Sequence, residues 1–354
     1  MSIVHVLSLF LMHAAHVANA LASPTKSYLV TGANKGQGLA LCERILTEHS
    51  DTHVFLCSRD EGRGEAAKQS LLQLLADKNA AERIDVVPLD VTSDSSVQTA
   101  LSAVRSTLSA RSRDKHPLQL CGIVSNAGIL WGHPLEDLIE VCATGVKRVL
   151  DAFVPLVNDQ CNDSGGEEGR VVVVTSGLGP LMHQYSGEER QSALMSSDCT
   201  WESTILPMIH ICLDAYASTK ESTLEKRIKA FNAIQFPGGP FADSAPDFHM
   251  YGLSKMFGDA YMRVVARKYP KLRVTSVDPG LVYTDLILRM PKYEGKGKGE
   301  TGAQSPHEGV EATMRLLFDK DAGKGEGSGK LYALSKDRTK LVFSDINKMP
   351  QKQP

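Results

Sequence analysis

Residues 27–38 read Ser27-Tyr28-Leu29-Val30-Thr31-Gly32-Ala33-Asn34-Lys35-Gly36-Gln37-Gly38, and helical spacing follows over 38–47. An apolar run of strand type therefore stops at a glycine-rich turn that opens a helix. Glycines permit the tight turn and let the backbone approach a ligand closely. The free N–H groups at the helix start then face an anion. Composition alone would make this a weak signal. Its place directly after a buried strand near the chain start predicts a pyrophosphate cradle.

Working outward, strand and helix alternate. Strands are expected at 53–57, 84–89, 118–124 and 171–174, with helices at 65–76 and 95–108 between them. Short apolar strands separated by amphipathic helices form βαβ units, hence an α/β fold with a doubly wound parallel sheet covered on both faces. The regularity breaks over 177–248, where Pro180, Pro207, Gly238-Gly239-Pro240 and Pro246 interrupt it. That stretch is too long for a plain connection and reads as an insertion. The pattern returns with a helix at 249–269, a strand at 272–277, a helix at 306–318 and a last strand at 330–333. Residues 291–302 are flexible by composition. The reading is one domain over 26–354, with the insertion 177–248 just before the helix expected at 249–269.

Composition limits the functions open to such a domain. The chain has 354 residues, 42% hydrophobic and 23% charged, with a net charge of −2. This is globular composition, and the near-neutral balance gives no footprint for nucleic acid or an anionic membrane surface. Seven cysteines are scattered, odd in number and never spaced C-x-x-C. That pattern argues against a structural zinc site and a disulfide framework, and no metal ligand set is expected. Residues 1–25 carry no Lys, Arg, Asp or Glu, and end in small residues at Ala18, Ala20 and Ala22. Two readings stay open. One is a cleaved signal, placing the mature chain in the secretory pathway or an organelle. The other is a frayed extension on a cytoplasmic protein. His5, His13, His16 and Asn19 make the segment a poor membrane span.

Further motifs follow the glycine turn in order: Leu89-Asp90-Val91, Asn126-Ala127-Gly128, Thr175-Ser176, Tyr251-x-x-x-Lys255, and Pro279-Gly280-Leu281-Val282-Tyr283-Thr284. With Thr31 ahead of Gly-x-x-x-Gly-x-Gly, the set resembles the short-chain dehydrogenase/reductase family over 27–333. The resemblance implies a Rossmann fold and a nicotinamide cofactor. It assigns Gly32, Asn34, Lys35, Gly36, Gln37 and Gly38 to the phosphates, Asp90 and Val91 to the adenine, and Asn126, Ala127 and Gly128 to the cofactor wall. Pro279, Gly280, Val282 and Thr284 fall at the nicotinamide. An acid ending the second strand would bind a ribose 2′-OH, whereas a base accommodates a 2′-phosphate. Here the strand ends Cys57-Ser58-Arg59, with Lys35 nearby in the turn. This favours NADP(H), with Arg59 forking onto the phosphate; Asp60 reads as a turn or cap.

Tyr251 and Lys255 share one helix face, about 6 Å apart along the axis. The ammonium is expected to lower the phenol pKa, so that Tyr251 protonates a carbonyl oxygen or deprotonates an alcohol. In the family this lysine also holds the nicotinamide ribose. Tyr216-x-x-x-Lys220 repeats the spacing. Lys255 precedes Pro279 by 24 residues, room for one helix and one strand, while Lys220 precedes it by 59. Tyr251/Lys255 is therefore the functional pair. Ser176, after the fifth strand, matches the family serine that orients the substrate oxygen. Cys142 stands where the family carries an asparagine, Gln37 replaces an apolar residue, and Ser125 the first Asn of Asn-Asn-Ala-Gly.

The 75-residue step from Ser176 to Tyr251, with Asn34-Lys35-Gly36, Cys57-Ser58-Arg59-Asp60 and Ser305-Pro306-His307-Glu308-Gly309, is similar to the monomeric carbonyl reductases. That implies a monomer whose insertion, with 291–302, lines the substrate pocket. Met195, Trp201, Tyr216 and Phe241 are candidates for an apolar wall, or for ordinary packing. The expected activity is NADPH-dependent reduction of an aldehyde, ketone or quinone. The alternatives are an NADP-dependent alcohol or steroid dehydrogenase, and a cofactor-binding sensor without turnover.

Overall fold

A computed structural model describes residues 24–75, 80–111, 117–161, 168–219, 221, 223, 226, 230, 247–324 and 327–344. The segment 1–25 lies almost wholly outside the described residues, as do Lys220 and Phe241. No helix among the described residues is long and apolar enough to cross a membrane.

Strands β1 (Lys26–Val30), β2 (Thr52–Ser58), β3 (Ile84–Pro88), β4 (Gln119–Ser125), β5 (Arg170–Val174), β6 (Arg273–Val277), β7 (Leu331–Leu334) and β8 (Leu341–Ser344) form one sheet in the order β3-β2-β1-β4-β5-β6-β7-β8. All pairs are parallel except β7–β8. The order reverses between β1 and β4, which opens a crevice at the carboxyl ends of the strands, where ligands bind in doubly wound sheets.

Side chains alternate across the strands, so each strand feeds two cores. Leu29, Phe55, Val171 and Val173 enter one, while Tyr28, Val30, Val54, Leu56, Val172 and Val174 enter the other. Each buried aliphatic side chain contributes about 1.5–3 kcal/mol. The second core is covered by α1 (Gly36–Glu48) and α13 (Glu311–Phe318). The first is covered by α3 (Asp94–Arg111), α5 (Gly145–Phe153) and α9 (Asp247–Lys268). All seven cysteines are buried and free.

Two expectations are corrected. The helix expected over 306–318 is two pieces, α12 (Pro306–Gly309) and α13, because Val310 takes φ −89° and ψ 0° between them. The strand expected last is followed by a partner, β8, across a turn in which Arg338 takes φ 59°. Within the insertion, the described residues form α6 (Leu178–Gln184), α7 (Glu188–Met195), a π-turn (Trp201–Ile205) and α8 (Leu206–Ala217).

Candidate active site

The glycine turn is shaped by steric need. Gly32 and Gly36 take φ of +64° and +57°. A Cβ on Gly38 would lie 2.5 Å from the Gly32 carbonyl oxygen and 2.7 Å from Asn126 Nδ2. Thr31 Oγ1 accepts from the backbone N–H groups of Asn126 and Ala127 at 2.9 and 3.0 Å, and Asn126 Nδ2 donates to the Thr31 carbonyl at 2.9 Å. These bonds tie the ends of β1 and β4 together at the crevice.

A cleft of about 1100 Å³ opens there. Gly32, Asn34, Lys35, Gly36, Gln37, Gly38, Arg59, Asp90 and Val91 line it, with Asn126, Ala127, Gly128, Ser176, Tyr251, Lys255, Pro279, Gly280, Val282 and Thr284. Every cofactor and catalytic residue named from sequence thus lines one space. Asp90 Oδ1 is held by Thr92, whose backbone N–H and hydroxyl donate at 2.9 and 2.7 Å. Asp60 caps α2 (Glu61–Leu74), accepting from the Arg63 N–H at 2.8 Å, as a cap was expected to. That places Arg63, beside Arg59, on the cleft wall. Lys35 Nζ pairs with Asp285 Oδ2 at 2.7 Å, joining the turn to α10 (Asp285–Leu288) on the opposite wall.

Close helix packing brings Ser176 and Tyr251 to the same cleft. A Cβ on Gly252 would meet the Leu178 carbonyl oxygen at 2.8 Å, and one on Gly179 would meet the Lys255 carbonyl carbon at 3.3 Å. These glycines let α6, which starts just after Ser176, lie against α9. Ser176 Oγ accepts from the Leu178 N–H at 3.2 Å. Lys255 Nζ donates to the Val174 carbonyl at 3.0 Å and sits 5.4 Å from the Tyr251 ring centroid.

The expected pull of Lys255 on the Tyr251 phenol is present, but burial outweighs it. Burial pushes the phenol up to about 12; Lys255 pulls the other way, and Cys142 and Asp278 add to the rise. Burial pulls Lys255 down, but Tyr251, Cys142 and Asp259 outweigh it and hold the ammonium above its ordinary range. Cys142 lies in a π-turn (Glu140–Thr144) between α4 (Leu135–Ile139) and α5. Its thiol donates to the Ile129 carbonyl at 3.7 Å.

The apolar wall is not built as the candidates suggested. Trp201 packs edge-on against Tyr261, Tyr216 is fully buried in the first core, and Met195 is exposed. None of the three lines the cleft. Among the described residues the insertion supplies only its ends, Gly177, Leu178 and Phe248, and the segment 291–302 supplies Tyr293. Leu130, Trp131, Leu286, Ile287 and Met290 are among the other apolar side chains that line the cleft. Trp131 and Phe248 meet edge to face, 6.2 Å between centroids. Sequence reasoning missed Arg63, Trp131 and Asp278. A basic residue one turn beyond Arg59, and a tryptophan five residues beyond Asn126, were the available signals.

The glycine turn, its φ angles and the facing helix start fit a dinucleotide, because side chains at those positions would fill the cradle.

Comparison with known proteins points the same way. A short chain dehydrogenase family model matches residues 26–187. The chain is 27% identical over 316 residues to (+)-neomenthol dehydrogenase of Arabidopsis thaliana, covering 84% of this chain and 93% of that protein. Its fold is similar to that of salutaridine reductase from Papaver somniferum, with TM-score 0.62 at 22% identity, over 86% of this chain and 99% of that one. It also resembles an NADPH-bound carbonyl reductase from chicken fatty liver, with TM-score 0.52 at 18% identity, over 88% and 97% of the two chains.

Proposed function

Because the chain belongs to the short-chain dehydrogenase/reductase family and is an oxidoreductase of the carbonyl–alcohol pair, we propose that it is an NADPH-dependent reductase of apolar aldehydes, ketones or quinones. One observation carries this reading. Tyr251, Lys255 and Ser176 share one cleft with the apolar side chains of Trp131, Phe248, Met290 and Tyr293. The names of its relatives, a neomenthol dehydrogenase and a salutaridine reductase, support a ring ketone or alcohol as substrate.

When bound, NADPH supplies the hydride. The residues of the chain do the rest. Ser176 orients the substrate oxygen and stabilises charge developing on it. Tyr251, protonated at neutral pH, gives that oxygen its proton. Lys255, fixed to Val174, keeps its positive charge beside the phenol and favours the phenolate left after transfer. Arg59 and Arg63 stand exposed at the end of β2 and the start of α2, where two guanidinium groups suit a 2′-phosphate and disfavour NADH. Lys35 and the turn glycines would hold the pyrophosphate. Of the 22 residues of α9, 16 are buried, and α6, the π-turn of the insertion and α5 pack against it. A helix covered in this way supports a monomer.

The test is NADPH oxidation against a panel of apolar ketones, aldehydes and quinones. Wild type should turn over, and Tyr251→Phe should lose roughly 10²–10⁴-fold in kcat with NADPH binding retained. Binding without turnover in both forms would favour a sensor and sink the reductase reading.

A further inference from the structure

Helix α9 presents four polar residues at successive i+4 positions: Tyr251, Lys255, Asp259 and Arg263. The first two face the cleft. Asp259 is 4% exposed and does not line it. The proposed reaction gives this carboxyl no direct part, and in the packing it faces Arg263 and Lys255 of its own helix.

Its contacts give it a place. Asp259 Oδ2 accepts from Thr175 Oγ1 at 3.1 Å, and Thr175 immediately precedes Ser176. Thr175 is itself buried, and its N–H donates to the Val277 carbonyl at 2.8 Å. The Asp259 bond is thus a second, side-chain tether on the strand end that carries the serine. Gly179 makes room for it, since a Cβ there would lie 2.7 Å from Asp259 Oδ2. Ser276 faces the same carboxyl and favours its ionised form. A buried carboxylate is expensive to keep, and one that touches the frame of a reactive cleft is retained for what it positions.

We propose that Asp259 is a positioning residue of the reductase site: from beneath the cleft it fixes Thr175, and through it Ser176, while facing the Lys255 side of the same helix with a negative charge. This rests on the reductase reading above. The groups that face Asp259 are Lys255 and Arg263 from its own helix, and Thr175 and Ser276 from the neighbouring strand segments; α6 contributes the backbone at Gly179. Burial pushes its carboxyl up to about 6, with those four side chains pulling it back. Ionised, it accepts the Thr175 bond with charge assistance; protonated, it loses that assistance. Activity should therefore decline as pH falls through about 6.

The experiment is the pH profile of kcat, from pH 5 to 8.5, for wild type, Asp259→Asn, Thr175→Val and Thr175→Ser, with the KM for NADPH at each pH. Wild type should show an acidic limb near pH 6. Asp259→Asn should lack that limb and run roughly tenfold to a hundredfold lower in kcat, with little change in KM. Thr175→Val should fall similarly, and Thr175→Ser, which keeps the hydroxyl, should recover. A limb unmoved in Asp259→Asn overturns the proposal. So does equal activity in Thr175→Val and Thr175→Ser, a pair that decides the matter if Asp259→Asn does not fold. Loss of turnover in wild type would overturn the reductase reading itself, a different failure.

Discussion

Replacing Asp259 by Asn should make the protein more stable at neutral pH while harming its activity. In the folded chain the carboxyl titrates near about 6 rather than 3.8, chiefly because it is buried. An acid whose folded pKa lies above its unfolded value binds more protons folded than unfolded between the two. Its ionisation therefore costs stability as pH rises from 3.8 to about 6, and the loss stays in full above that. The interval corresponds to about 3 kcal/mol at 25 °C. The attraction of Arg263 and Lys255 is already contained in that net value, because both pull the pKa down. The amide keeps an acceptor for Thr175 and carries no charge. At about 2.1 cal/mol/K of unfolding entropy per residue, 3 kcal/mol amounts to about 4 °C in a chain of this length. Calorimetry at pH 4 and pH 7.5 should show wild type and variant melting together at the lower pH, with the variant about 4 °C higher at the upper. Melting curves that stay parallel between the two pH values, or a variant less stable at pH 7.5, would refute the reasoning.

Other consequences are as direct. Gly38→Ala places a methyl 2.5 Å from the Gly32 carbonyl oxygen; dinucleotide binding by fluorescence should weaken at least about tenfold with a lowered Tm, and unchanged binding would remove the turn from the site. Arg59→Glu with Arg63→Glu should cut NADPH affinity by roughly a hundredfold and leave NADH nearly unaffected, since each charged hydrogen bond is worth about 1.5–3 kcal/mol; an unchanged NADPH/NADH ratio would relocate the 2′-phosphate. Trp131→Ala should raise KM for bulky apolar ketones about tenfold while sparing small aldehydes, and a uniform loss across the panel would show that Trp131 supports the fold instead.

What the sequence made legible was whatever the backbone itself must do. Gly32, Gly36 and Gly38 announce a turn that other residues cannot make, and Tyr251 with Lys255 announces one helix face. Helix and strand periodicity located seven of the eight strands, and missed β8, a four-residue edge strand whose pairing is supplied by β7. What stayed hidden depends on surroundings. The spacing of Tyr251 and Lys255 reveals the ammonium but not the burial that outweighs it. Aromatic content drew attention to Trp201 and Tyr216, which the fold spends on its core, whereas Trp131 and Phe248 reach the cleft because β4 and α9 end there. Asp259 looked like one more helical polar residue, and only the approach of β5 makes it a buried partner of Thr175.

The helix that carries Tyr251 and Lys255 is enclosed along most of its length, and it meets the tryptophan side of the cleft at its first turn, through Phe248. Trp131 is therefore the rim position tied to the rod on which the proton donor stands. Met290 and Tyr293 belong to other segments of the wall, which makes them the natural ground for diversification, by descent or by the bench.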